Sequence, residues 1–284
     1  MAMSGQVRQV RRVLRGMPTS DGAGVRLTRV IGTPTLPQLD PFLMLDEFGT
    51  DRPEDYIAGF PSHPHRGFET VTYMLDGRMR HRDNHGNEGV LVPGAVQWMT
   101  AGRGIVHSEM PEQEEGRMRG FQLWVNLPAS TKMSEPRYQE YGPERFPEVE
   151  VGVDARVKVI AGEVAGVTGP ISQPATEPIY LDVRLGAGAG FGHALPEGHN
   201  AFLYVYEGAV RAGEGTDAAT VGTGELAVLG PGQQVRLEGR EADTRLILVA
   251  GRPLNEPVAR YGPFVMNTQA ELRQAFEDYQ AGRF

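Results

Sequence analysis

The 284-residue chain contains no cysteine. Disulfides, thiolate metal sites and thiol nucleophiles are thereby excluded, a reducing compartment is tolerated, and any metal must be held by nitrogen and oxygen. Long apolar runs are absent as well. Gly, Pro or a charge interrupts every candidate short of the ~20 residues that a membrane-spanning helix requires, so no membrane partner is expected. The basic opening MAMSGQVRQVRRVLRG never settles into the apolar segment of a secretory leader; it reads as a strand, with Arg8, Arg11, Arg12 and Arg15 on a solvated face, and a cytoplasmic location is expected. Excess positive charge is the third absence. With 28 Lys and Arg against 36 Asp and Glu the net charge is −8, which opposes the phosphate-backbone attraction behind most nucleic-acid binding. No direct contact with nucleic acid is expected.

What the chain does have is 37 glycines and 21 prolines bounding short apolar runs that alternate with polar residues. VRLTRVIG, ETVTYMLDG, FQLWVNL, RVKVIAG, IYLDVRLGAG, AFLYVYEGAV, GELAVLGPG and TRLILVAG are examples. Period-two patterning between turn formers predicts an all-β protein, and runs spread over both halves predict two barrels or sandwiches. The stretch from Asp83 to Asn87, DNHGN, suits a tight hairpin. Between Pro128 and Val149 the alternation lapses and proline accumulates, which marks a linker. One helix is expected near the C-terminus, where Thr268 and Glu271 have capping-box spacing and Leu272, Ala275, Phe276 and Tyr279 share a face. The halves echo each other: GHNAFLYVYEGAV and GELAVLGPGQQVRL follow the same strand, turn and Pro-Gly corner order as HPHRGFETVTYMLDGRM and GVLVPGAVQWMTAG. An internal duplication accounts for this.

The echo fails at the chemistry. In GFPSHPHRGFETVTYMLDG, His63 and His65 stand two apart, and on an extended strand such residues point to one face, about 6.6 to 6.8 Å apart. The second copy offers His199 instead. An HxH pair alone is weak evidence, because such pairs are commonly solvated. The parity recurs in GRGIVHSEMP, where His107 and Glu109 are again two apart; two such pairs on neighbouring strands would converge. Three imidazoles and a carboxylate suit iron, manganese, nickel, cobalt, copper or zinc. Glu69 shares the parity of His63 and His65 and competes for the acidic position. His81 and His85 flank a polar turn and read as solvated, and His193 and His199 as pocket residues of the second half. Arg66, Gln97, Trp98 and Trp124 lie beside the candidate ligands, where tryptophan on a strand is ordinarily core.

These stretches carry a resemblance. GFPSHPHRGFETVTYMLDG resembles the first motif of the cupin superfamily, and VPGAVQWMTAGRGIVHSEMP resembles the second in its pirin-family form. LDPFLMLDEFG, FQLWVNLP with KMSEPRYQEY, and GPFVMNT resemble further pirin segments in the same order. The resemblance implies two antiparallel jelly-roll cupin barrels: residues 1–133 a metal-binding N-terminal barrel, residues 134–284 a barrel without metal that includes the C-terminal helix. It implies His63, His65, His107 and Glu109 as ligands, with Glu109 rather than Glu69 supplying the carboxylate, and Fe(II) as the foremost metal among Mn, Ni, Co, Cu and Zn. The implied activity is that of a quercetin 2,3-dioxygenase opening a flavonol or other small aromatic with O2, Glu109 serving as base. The alternative it implies is a metal- or redox-sensing regulatory protein whose partner is a transcription factor or metabolic enzyme. A monomer is expected.

Overall fold

The computed structural model describes residues 5–284; the first four residues of the basic opening lie outside the described residues. Two compact units form, and each interleaves distant parts of the chain: the segment ending at Gly16 joins Arg145–Pro253, and Met17–Glu144 joins Leu254–Phe284. The structure therefore divides the chain differently from the contiguous 133/134 split. The reason lies in edge strands. Val10–Arg15 pairs with Glu225–Leu229, while Arg137–Tyr141, inside the segment read as a linker, pairs with Val96–Thr100.

Each unit is a seven-stranded sheet facing a four-stranded one, with every ladder antiparallel. In the unit built on residues 17–144 the larger sheet runs Arg137–Tyr141, Val96–Thr100, Phe68–Asp76, Met118–Asn126, Phe42–Thr50, Val25–Ile31, Met17–Asp21; the smaller runs Phe60–His65, Ile105–Pro111, Met79–Asp83, Glu88–Leu91. The other unit repeats both orders, which bears out the duplication. Alternation explains why these segments are strands. Val157 and Val159, Leu181 and Val183, Leu203 and Val205, and Leu246 and Leu248 all turn the same way into one apolar core. Burying such side chains contributes roughly 1.5–3 kcal/mol apiece.

The helix is Gln269–Gln280. Thr268 Oγ1 accepts from the Glu271 amide at 3.2 Å while Glu271 Oε2 accepts from the Thr268 amide at 2.8 Å, completing the capping box. Leu272 and Ala275 pack with Phe264 and Met266, so the helix belongs to the unit of residues 17–144 and not, as expected, to the second half. Among the described residues no helix is long and apolar enough to cross a membrane. Arg8 departs from its expected solvated face. It is 1% exposed, its guanidinium donating to the carbonyls of Pro196, His199 and Gly232 at 2.7, 2.8 and 3.0 Å.

Candidate metal centre

The smaller sheet of the first unit brings three histidines together. Phe60–His65 runs antiparallel to Ile105–Pro111, with His63 directly opposite His107 and His65 opposite Ile105. Directly opposed side chains lie within contact distance, and parity sets His65 on the face of His63. The ring centroids are 4.4 Å apart for His63 and His107, 4.7 Å for His63 and His65, and 5.0 Å for His65 and His107. One nitrogen from each lies within 4.8 Å of the others.

Their hydrogen bonding suits a cation. His63 Nδ1 is 2.7 Å from the Pro61 carbonyl, which can only accept, so Nδ1 carries a proton and Nε2 is the nitrogen left for a cation. His65 Nδ1 and both ring nitrogens of His107 are buried without a hydrogen-bond partner, an unfavourable state unless something else satisfies them. Burial first, and the neighbouring imidazoles second, hold His65 and His107 well below the ordinary histidine range. Both are therefore neutral, the form that ligates a metal.

The turn after His65 is clamped from two sides. Gly67 has φ +87°, and a Cβ there would lie 2.0 Å from the Val265 carbonyl oxygen, so only glycine fits. Lys132 Nζ donates to the Gly67 carbonyl at 2.6 Å, to Asn126 Oδ1 at 2.6 Å and to the Val265 carbonyl at 3.0 Å. On the other side Arg66 Nη1 is 2.7 Å from Asp278 Oδ2 of the helix, Nε donates to the Arg103 carbonyl, and the guanidinium lies 4.3 Å from the Phe284 ring centroid.

Glu109 stands apart from the three-histidine group. It lines the same cavity, and its Oε1 is 3.1 Å from the Thr72 hydroxyl, which also lies 2.7 Å from Gln122 Oε1. Burial raises its pKa, against an opposing influence of His63. Glu69 is fully buried in the larger sheet, where it accepts from Thr100 Oγ1 at 2.7 Å. His81 is not the surface residue its neighbourhood suggests. It is 4% exposed, opposes Glu109 across the sheet, and its Nε2 is 2.7 Å from Glu140, which Gln97 also reaches at 2.6 Å. The missed signal is MRHRD, in which Met79, His81 and Asp83 alternate with exposed Arg80 and Arg82. His85 is exposed as expected, Trp98 is core, and Trp124 lies with its ring 5.3 Å from His65.

His63 and His65 open onto a cavity of about 620 Å³. Met44, Phe48, Phe60 and Met79 form apolar wall, while Arg29, Asp46 and Arg260 are polar. In the second unit the strand at the matching sheet position, Gly190–Ala194, sets Phe191 opposite Leu237 and His193 opposite Val235. Phe191, Leu237 and Val235 are core residues there, and His193 has no histidine opposite it. His199 lies elsewhere, its Nε2 3.6 Å from Glu177, and lines a separate cavity with His193.

Twin units of seven- and four-stranded sheets, one of them holding a three-histidine cluster, define a bicupin with a candidate metal centre in its first barrel. The chain belongs to the pirin family: residues 24–125 match Pirin and residues 180–284 match the Pirin C-terminal cupin domain. It is 56% identical over 279 residues to a Pirin-like protein of Caulobacter vibrioides, covering 98% of this chain and 99% of that one. Human Pirin is 45% identical over 263 residues, covering 92% of this chain and 88% of that one. A crystal structure of a quercetin 2,3-dioxygenase from Acinetobacter baumannii superposes with a TM-score of 0.90 at 34% identity, over 98% of each chain.

Proposed function

We propose that this pirin-family chain is a metal-dependent dioxygenase of the quercetin 2,3-dioxygenase type, with a first-row transition metal, Fe(II) foremost, held by His63, His65, His107 and Glu109. The observation that carries the reading is the convergence of three imidazoles, two of them with buried and unpartnered nitrogens, beside a cavity that His63 and His65 line and that is large enough for a small aromatic. The Acinetobacter relative supports the substrate class. The reading goes with a cytoplasmic monomer that opens the central ring of a flavonol with O2.

When bound, the metal supplies Lewis acidity to a coordinated hydroxyl and one-electron chemistry toward dioxygen. The protein's part is positioning and proton transfer. The Pro61 carbonyl fixes the His63 tautomer, and the clamped turn fixes the His65 ring. Glu109, buried and with its affinity for a proton raised, accepts the proton of the flavonol hydroxyl, while Thr72 orients its Oε1. Apolar walls exclude water and hold the aromatic rings.

Metal analysis combined with oxygen uptake on quercetin tests the reading. The purified protein carries close to one equivalent of metal, His63→Ala and His107→Ala lose it, and Glu109→Gln lowers turnover by about 10²–10⁴-fold. Stoichiometric metal surviving both histidine changes removes the site. Metal without oxygen uptake at any loading returns the chain to the regulatory, metal- or redox-sensing alternative.

A further inference from the structure

The polar wall of the same cavity holds a charge that the ring-opening chemistry leaves unused. Arg29 is committed: Nε reaches Asp46 Oδ1 at 2.8 Å, and Nη2 reaches Asp46 Oδ2 at 2.7 Å and Asp21 Oδ2 at 2.8 Å. Both Asp46 oxygens are taken by that fork, and its side chain is 3% exposed. Arg260, on the Ala259–Tyr261 strand at the rim, is differently placed. Its Nη1 donates to the Leu43 carbonyl at 3.1 Å, and its Nη2 lies 3.9 Å from Met44 Sδ. Among the described residues no carboxylate lies within ion-pair distance of it; Asp46 and Asp21 act on it from farther off, and Arg29 opposes them.

A guanidinium offers five N–H donors in one plane. The contacts of Arg260 use one of them in a hydrogen bond of ordinary length and a second only weakly, against sulfur. The group also stacks over Trp124, 4.7 Å from the ring centroid. Stacking on an indole sets the orientation of the plane, so the remaining donors are presented in a fixed direction at little further entropic cost.

Trp124 links this charge to the histidines. Its ring is 5.3 Å from His65 and 4.7 Å from the Arg260 guanidinium, so those two separations limit the guanidinium-to-His65 distance to at most about 10 Å. A phenolic ligand with its hydroxyls at the histidine end and its ring along Trp124 therefore ends beside Arg260. A cationic group there would be repelled, and a neutral one would leave the spare donors to water.

We propose that Arg260 is an anion-recognition residue, and that the substrates of this cavity are phenolic compounds bearing a carboxylate or similar anionic group at the end remote from the hydroxyls directed to the histidines. The inference rests on the metal-centre reading of the cavity.

Isothermal titration calorimetry of the Fe(II)-loaded protein under argon, with 3,4-dihydroxycinnamate and its methyl ester as probes, tests it. The two share a catechol and differ in the distal charge. The acid binds about ten- to hundredfold more tightly than the ester, the range expected of a charge-assisted hydrogen bond. In Arg260→Gln that preference disappears while ester affinity, metal content and denaturation midpoint stay as in the unaltered protein; Arg260→Lys keeps part of it. A preference that persists in Arg260→Gln, or is absent from the unaltered protein, overturns the proposal, as does failure of either probe to bind. Failure of the metal reading looks different: His107→Ala then binds both probes unchanged, with the preference for the acid intact.

Discussion

Replacing Lys132 by Met tests how the turn behind His65 is held. Lys132 is 1% exposed, and its three hydrogen bonds end on Gly67, Asn126 and Val265. A hydrogen bond from a charged donor contributes about 1.5–3 kcal/mol, so losing three gives a gross cost of about 5–9 kcal/mol. Burial of the ammonium opposes this. Desolvation lowers its pKa from 10.5 to about 8, which at 1.36 kcal/mol per unit is a penalty of about 3 kcal/mol that Met does not carry. The hydrogen bonds win, and Lys132→Met is expected to be less stable at pH 7 by about 2–6 kcal/mol. The pH dependence has a definite sign. Between about 8 and 10.5 the unfolded chain keeps the Lys132 proton that the folded chain releases, so stability rises with pH and the Met variant misses the rise. The gap between the two proteins widens by about 2–3 kcal/mol from pH 7 to pH 10. His65 and His107, held low, titrate below that window, and Tyr138 and Tyr180, pushed up by burial, are present in both proteins and cancel from the gap. The assay is urea unfolding of metal-free protein followed by tryptophan fluorescence, since both tryptophans, Trp98 and Trp124, lie in the unit of residues 17–144. A gap that narrows as pH rises would refute the reasoning, because the three acceptors would then hold the proton more strongly than burial expels it.

Gly67→Ala forces a Cβ against the Val265 carbonyl from a left-handed backbone that itself costs an alanine about 1–2 kcal/mol; a loss of about 3 kcal/mol or more and a lowered metal content are expected, and an unchanged midpoint with full metal counts against the clamp. Asp278→Asn leaves the Arg66 side chain, 4% exposed, without its charge partner. With the Asp278 side chain itself 15% exposed, the expected loss at neutral pH is about 2–3 kcal/mol, below the range for fully buried pairs. Hydrogen bonds from Arg66, Arg283 and Gln274 hold the Asp278 carboxyl well below the usual carboxylate range. Its contribution is therefore complete above the unfolded pKa and is lost as pH falls below about 4. The Asn variant should lack that acid-side loss in a fluorescence-monitored acid titration, and an unaltered acid limb would exclude the role.

Period-two alternation made most strands legible, and the same parity found His63 and His65, because both signals are local. What escaped depends on partners far along the chain. Arg8 reads as one of four arginines on a strand, yet the carbonyls that bury it lie 188 to 224 residues away. The edge strand Arg137–Tyr141 is polar and half-exposed, so it lacks the apolar alternation that marks inner strands, and only its ladder with Val96–Thr100 reveals it. His81 was readable from Met79 and Asp83, but the adjacent DNHGN turn drew it outward.

Parity also leaves Glu69 and Glu109 equivalent, and the register shows how they differ. Glu69 lies on Phe68–Asp76 in the larger sheet, where Thr100 engages it. Glu109 lies on the strand that carries His107, and between those two residues the pairing with Phe60–His65 shifts, from His107 opposite His63 to Glu109 opposite Phe60. That irregularity sets Pro61 and Ser62 of one strand against Ser108 alone of the other, a bulge of the kind that re-aims side chains beside a site. It accompanies a carboxylate that lines the cavity beside His63 and His65. The second unit has the same pair of strands in the same sheet order, in unbroken register, with Phe191 and Leu237 turned into the core. At this strand pair the two barrels differ in the residues that face each other and in whether the register is broken. The chemistry proposed for the first barrel resides in that difference and not in the fold the two share.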